Sequence, residues 1–133
     1  MITASTATTL VISTNAPTAP EGLHILSNFN SAQRLKLNDW RLFRNFIDGK
    51  IEELAVVKVG EAYHNFEGGG FTAVICLAES HLSIHTWPDR QYVTFDVFLS
   101  NYRKDNRPKT EAIYKEVLAF FDAIVRFENY IQR

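Results

Sequence analysis

The chain has 133 residues, of which 46% are hydrophobic and 22% charged, a balance that fits one soluble globular domain and excludes a disordered chain. A net charge of -1 gives no electrostatic pull toward nucleic acid or an anionic membrane. No apolar run approaches the roughly 20 residues needed to span a bilayer.

Residues 1–20 are rich in Thr, Ala, Ser and Pro and carry no charged side chain, so they read as a flexible extension, with Leu10-Val11-Ile12 able to rest on the body formed by residues 21–133. They lack the basic and apolar stretches of a secretion signal, and the only cysteine, Cys76, excludes an intramolecular disulfide framework; a cytoplasmic location is the expectation. Gly22–Phe29 reads as a first strand. Asn38 or Asp39 can cap a helix whose apolar face is Trp40, Phe43, Phe46/Ile47, Ile51 and Leu54, with Gly49 as a weak point. Trp40, Phe43 and Phe46 are a core stripe.

Four strands are expected next: Ala55–Val59 continuing toward Phe66, then Phe71–Leu77, His81–Trp87 and Tyr92–Leu99. In the last, Val93, Phe95, Val97 and Leu99 alternate with Tyr92, Thr94, Asp96 and Phe98. Gly68-Gly69-Gly70 is a tight turn that lets backbone approach a site, since no Lys-Ser/Thr follows to make it a phosphate loop. Cys76, in an apolar strand, reads as a small buried side chain. The stretch 103–109 reads as a solvated loop before a second helix opening at Thr110-Glu111, with Ile113, Val117, Phe120/Phe121 and Ile124 on one face. A strand from about Val125 to Ile131 closes the chain. The fold class expected is α+β: a two-layer sandwich of one mainly antiparallel sheet with two helices on one face. The other face must be polar or covered by a second copy, and Tyr92 and Phe98 favour the second.

Chemistry concentrates in Glu79-Ser80-His81-Leu82-Ser83-Ile84-His85-Thr86-Trp87-Pro88. By composition alone this is a strand with two histidines on a half-polar face, or, with His64, a three-histidine metal site that no carboxylate pattern supports. The wording closely resembles the processing site of the prokaryotic S-adenosylmethionine decarboxylases, which show Glu-Ser-His, a short spacer, then His-Thr-Trp-Pro. The likeness runs in register from about Gly22 to Leu99, including Gly22-Leu23-His24 and His64-Asn65-Phe66.

That resemblance implies self-cleavage between Glu79 and Ser80. The Ser80 hydroxyl would attack the Glu79 carbonyl, Thr72 assisting, and His85 would serve as the base for β-elimination. A pyruvoyl group derived from Ser80 would remain as cofactor, form a Schiff base with the substrate and act as an electron sink for decarboxylation; no metal is implied. The products would be a β chain ending at Glu79 and an α chain beginning at the pyruvoyl, assembling as a homodimer of αβ units with sites shared across the interface. Phe66 would stack on the adenine of S-adenosylmethionine, and Asp89 would bind its ribose, while His81, Leu82 and Trp87 shape the site. The sequence departs from the family twice: Asp89 stands where a Glu is usual, and Ser100 where the family has a catalytic cysteine that donates a proton. These departures leave open a decarboxylase of another amino acid, arginine or ornithine, and a non-catalytic homologue that stays unprocessed, beside the expected role of supplying spermidine synthesis.

Overall fold

The computed structural model describes residues 21–133, so the extension expected over residues 1–20 lies outside the described residues. The strands are β1 (Gly22–Asn30), β2 (Lys58–Asn65), β3 (Phe71–Leu77), β4 (Ser80–Trp87), β5 (Tyr92–Ser100) and β6 (Ile124–Gln132). The helices are α1 (Arg34–Asn38), α2 (Trp40–Glu53) and α3 (Arg107–Phe121). The strands form a single antiparallel sheet in the order β2-β3-β4-β5-β1-β6.

The α+β architecture is as expected from the pattern, with the short α1 as an unforeseen third helix. Alternation sends Leu23, Ile25 and Phe29 of β1, Ala73 and Ile75 of β3, Leu82 and Ile84 of β4, and Val93, Phe95, Val97 and Leu99 of β5 into the core. There they meet Phe43, Ile47 and Ile51 of α2 and Ile113, Tyr114, Val117 and Phe121 of α3. Asp39 caps α2 by accepting from the Arg41 N–H at 3.0 Å, and the helix runs unbroken through Gly49.

Several boundaries differ from expectation. Ala55 takes φ 59° and closes α2 by donating to Glu52 O, so β2 begins at Lys58 and not at Ala55. Helix α3 begins at Arg107, because Pro108 suits a first turn whose N–H groups are unpaired anyway; only part of the stretch 103–109 is loop, and Asn106 within it is buried. Ile124 is not on that helix: Asp122 turns left-handed at φ 49° and ends α3, and Ile124 opens β6. Cys76 is exposed, since its neighbours Ile75 and Leu77 take the inward positions.

Two features tie the sheet to the segment of interest. A Cβ on Gly70 (φ 89°) would lie 2.5 Å from Thr86 O and 2.9 Å from Pro88 Cδ, so only glycine lets the β2–β3 turn approach this closely. Thr86 accepts from the Phe71 N–H at 2.9 Å and donates to Leu37 O at 2.7 Å, which joins β4 to β3 and α1.

Phe43 is fully buried and touches Phe46, Phe71, Phe120 and Phe121. Phe43→Ala is expected to lower unfolding free energy by about 3–5 kcal/mol, as a cavity among rings collapses poorly. Urea denaturation measures it, and a loss under about 1 kcal/mol would mean the aromatic cluster repacks freely.

Candidate active site

The junction before β4 is strained. Glu79 ends the turn from β3, and Ser80 opens the strand with φ 146°, a conformation that costs a residue bearing Cβ about 1–3 kcal/mol. Glu79 is held on both sides of its Cα. Its carbonyl oxygen accepts from the Ser100 N–H at 2.9 Å. Its carboxylate accepts from Asn106 Nδ2 at 2.8 Å and has Lys104 Nζ 3.8 Å away. Asn106 also donates to Ser100 O at 2.7 Å, so one buried amide fixes both residues. Ser100 therefore sits beside Glu79, with Leu99 directly opposite Ser80 in the ladder.

The face of the sheet away from the helices carries the rest. Across β3, β4, β5 and β1, register places Cys76, His81, Phe98 and His24 in one row, and Val74, Ser83, Asp96 and Leu26 in the next. Asp96 accepts from His24 Nε2 at 2.7 Å, from His81 Nε2 at 2.9 Å and from the Ser83 hydroxyl. Burial pushes the Asp96 carboxyl up, but the bonds from Ser83, His24 and His81 together outweigh it and hold it below its ordinary 3.8. Among the described residues, His24, His81 and Asp96 are the side chains of ligand type gathered within 4.8 Å of one another. His64 and His85 are not with His81: both lie opposite Thr72, on either side of it, at the far end of the sheet.

That far end holds the remaining expected residues. Thr72 Oγ1 lies 2.9 Å from His85 Nδ1. The Trp87 ring lies tilted 5.7 Å from Tyr92 and 6.3 Å from His85, with the Arg90 guanidinium over both Trp87 and Tyr92. Phe66, exposed after β2, meets His64 edge-on at 4.7 Å, and Asp89 is exposed in the 3-10 turn Pro88–Arg90. Leu82 is fully buried on the helix side, so its side chain cannot line this surface and only its backbone can.

The expected residues thus form two groups in one chain. Glu79, Ser80, His81 and Ser100 lie at one end, and Phe66, Thr72, His85, Trp87 and Asp89 at the other. Ser80 and His85 sit five positions apart on one strand, about 16 Å at the rise of an extended chain. A shallow pocket lined by Asp48, Ile51, Glu52, Val56 and Lys58 holds none of these groups.

Sequence reasoning missed Asp96, Ser83, Lys104 and Asn106. A signal existed for Asp96, the one charged residue in the apolar alternation of β5 and so a polar group aimed at the outer face. None existed for Asn106, whose partners are 27 and 6 positions away in sequence.

Fold and site together define an α+β protein in which a strained Glu-Ser junction lies beside an outer-face carboxylate that bridges two histidines from neighbouring parts of the sheet. The profile of the S-adenosylmethionine decarboxylase family matches residues 23–123, and the chain belongs to that family. An S-adenosylmethionine decarboxylase proenzyme of Prochlorococcus marinus (strain MIT 9313) is 32% identical over 108 residues, 81% of this chain and 86% of that protein. One of Persephonella marina is 33% identical over 94 residues, 71% of each. One of Aquifex aeolicus is 36% identical over 77 residues, 58% of this chain and 57% of the relative. The crystal structure of the adenosylmethionine decarboxylase from Aquifex aeolicus superposes with a TM-score of 0.72 at 24% identity, covering 87% of this chain and 91% of that one, which shows a shared fold.

Because the folded Asp96 carboxyl lies below its ordinary value, the stability it contributes is complete above pH 3.8 and is lost as pH falls through the lower folded value. Wild type and Asp96→Asn are expected to differ most in unfolding free energy near neutrality and to converge below pH 3.8. Denaturant titrations at stepped pH check this; a gap that stays constant into the acid range would show that the carboxylate charge contributes nothing.

Proposed function

We propose that this chain is a self-cleaving proenzyme whose processed form decarboxylates S-adenosylmethionine, supplying the aminopropyl donor for spermidine synthesis. The observation that carries this reading is the Glu79–Ser80 junction: Ser80 strained at φ 146°, and the Glu79 carbonyl oxygen fixed by the Ser100 N–H at 2.9 Å. A hydroxyl attacking that carbonyl carbon develops negative charge on the oxygen, where a placed N–H is most useful. Relief of the Ser80 strain helps the acyl shift, which turns the peptide bond into an ester. Removal of the Cα proton of residue 80 then expels the Glu79 carboxylate. Hydrolysis of the dehydroalanine, through its imine tautomer and with release of its nitrogen as ammonia, leaves a pyruvoyl group at the head of the second chain.

The junction fits such a group, because Ser80 is half-buried and Ser100, Glu79 and Asn106 already order the backbone around it. The pyruvoyl carbonyl supplies an electron sink for the loss of CO₂ from an α-amino acid. The chain's own residues bind and orient. Ser100 stands where a proton would be returned after CO₂ leaves; an alcohol is a much weaker acid than a thiol, so this step is slower than with cysteine.

His85 is the base for the Cα proton, and Thr72 fixes its ring. At about 16 Å along the strand, that pair cannot reach Ser80 of its own chain. The reading therefore requires a homodimer, in which His85, Thr72, Phe66, Trp87 and Asp89 of one copy complete the site around Ser80 of the other. Phe66, 46% exposed, has a free face for the adenine, and the Asp89 carboxylate is open for the ribose hydroxyls. The exposed free thiol of Cys76 accords with a reducing, cytoplasmic setting.

Intact-mass measurement of the purified protein is expected to show two fragments divided between Glu79 and Ser80, the second carrying the pyruvoyl mass. A single uncut chain would discard the reading. Ser80→Ala and His85→Ala should each stay uncut alone. Refolded as a mixture, the His85→Ala chains should be cut, because the Ser80→Ala copies lend them His85; a mixture that stays uncut would refute the shared site, and cutting of His85→Ala alone would remove His85 as the base. Ser100→Cys is expected to raise the rate of CO₂ release from S-adenosylmethionine about tenfold or more. An unchanged rate would remove Ser100 from the reaction path.

A further inference from the structure

Ser80 makes one contact that the reading above leaves unused. Its Oγ lies 3.3 Å from His81 Nδ1, while His81 Nε2 faces Asp96 Oδ2 at 2.9 Å. An ionised carboxylate only accepts, so the neutral His81 ring carries its hydrogen on Nε2 and keeps its lone pair on Nδ1. His24 obeys the same logic. Its Nε2–H donates to Asp96 Oδ2 at 2.7 Å, and its Nδ1 accepts from Arg133 Nη1 at 3.1 Å. With both rings assigned by their partners, His81 Nδ1 is an acceptor turned toward the Ser80 hydroxyl. Asp96 cannot swing away from this duty, because Ser83 donates to its other oxygen and His24 shares the first.

Hydroxyl, imidazole and carboxylate in contact are the groups that convert a serine into a nucleophile, here with the two ring nitrogens in exchanged roles. We infer that His81 is the base of the acyl shift, taking the Ser80 hydroxyl proton within its own chain, and that Asp96 is the positioning residue that holds its ring and tautomer. The inference rests on the self-cleavage reading and divides its labour: His81 serves the first step, and His85 of the second copy serves the elimination.

The step balances without another reagent. As Ser80 Oγ bonds to the Glu79 carbonyl carbon, its proton passes to His81 Nδ1 and charge develops on the oxygen that faces the Ser100 N–H. When the C–N bond breaks, the imidazolium returns that proton to the departing nitrogen of residue 80. An ester and an amine result, and His81 ends neutral. At 3.3 Å the hydroxyl–imidazole contact is long, as such contacts often are before the reacting geometry is reached.

Neutral hydroxylamine splits an ester and leaves a peptide bond intact, so it reports the step at which a variant stops. His81→Gln, of similar size and able to pack in the same place, is expected to stay a full-length, hydroxylamine-resistant chain, with cleavage slowed at least 100-fold. Asp96→Asn should slow cleavage at least tenfold and stop at the same resistant stage. His85→Ala, the control for the later step, should accumulate a full-length chain that hydroxylamine divides after Glu79. Cleavage of His81→Gln within twofold of wild type, or an ester accumulating in it, overturns the inference. If circular dichroism shows His81→Gln unfolded, Asp96→Asn decides: cleavage at the wild-type rate, or an ester, overturns it equally. A wild-type chain that never divides between Glu79 and Ser80 instead removes the self-cleavage reading, and this inference with it.

Discussion

The rise of an extended strand, about 3.3 Å per residue, decides what one copy of this chain can accomplish. Strand β4 carries Ser80 at its beginning and His85 five residues on, both anchored by ladders to β3 and β5. A pleated strand paired on both sides cannot fold back on itself. Groups that share ten residues of sequence are therefore held rigidly apart, while groups remote in sequence, such as Asp96 and His24, are brought into contact. Proximity along the chain is a poor guide to proximity in the site.

The architecture was legible because it rests on periodicity. Val93, Phe95, Val97 and Leu99 alternate without exception, and the helical stripe through Phe43, Ile47 and Ile51 is clean, so the layer order follows from which faces must be hidden. The boundaries that misled were those set by single backbone conformations. Ala55 and Asp122 adopt left-handed geometry although neither is glycine; an alanine side chain gives no sign of it, and the tolerance of Asp for this region is too general to fix a boundary. Cys76 escapes burial for a related reason: its apolar neighbours colour the local average, but parity, not average hydrophobicity, assigns a strand residue to a face.

The site was legible in a different way. The Glu79–Pro88 segment drew attention to Ser80 and His85 through its resemblance to a family, while the residues that condition Ser80 are scattered. Asp96 belongs to β5, His24 to β1 and Asn106 to the loop before α3. The alternation of β5 marks Asp96 as an outer-face charge, but each of the three works through a contact that exists only once the sheet has formed, so no local pattern names its partners. The cost of Ser80's backbone conformation is likewise sustained by distant groups, since Ser100, Asn106 and the β5 ladder together prevent the junction from relaxing.

The order of the strands has a consequence for a cut chain. Division between Glu79 and Ser80 would leave β1, β2 and β3 on one piece and β4, β5 and β6 on the other. In the sheet, β1 lies between β5 and β6, so the two pieces are interleaved and not side by side. Neither has a complete core of its own, and each would keep the other in place after the covalent link is gone. Folding would then have become an irreversible event in the life of the molecule. Before the cut, the parts find each other within one chain. Once divided and unfolded, they would have to meet as separate solutes, with a yield that falls on dilution. Such a protein holds its shape by history as well as by equilibrium, and its lifetime is set by how slowly the interleaved sheet opens.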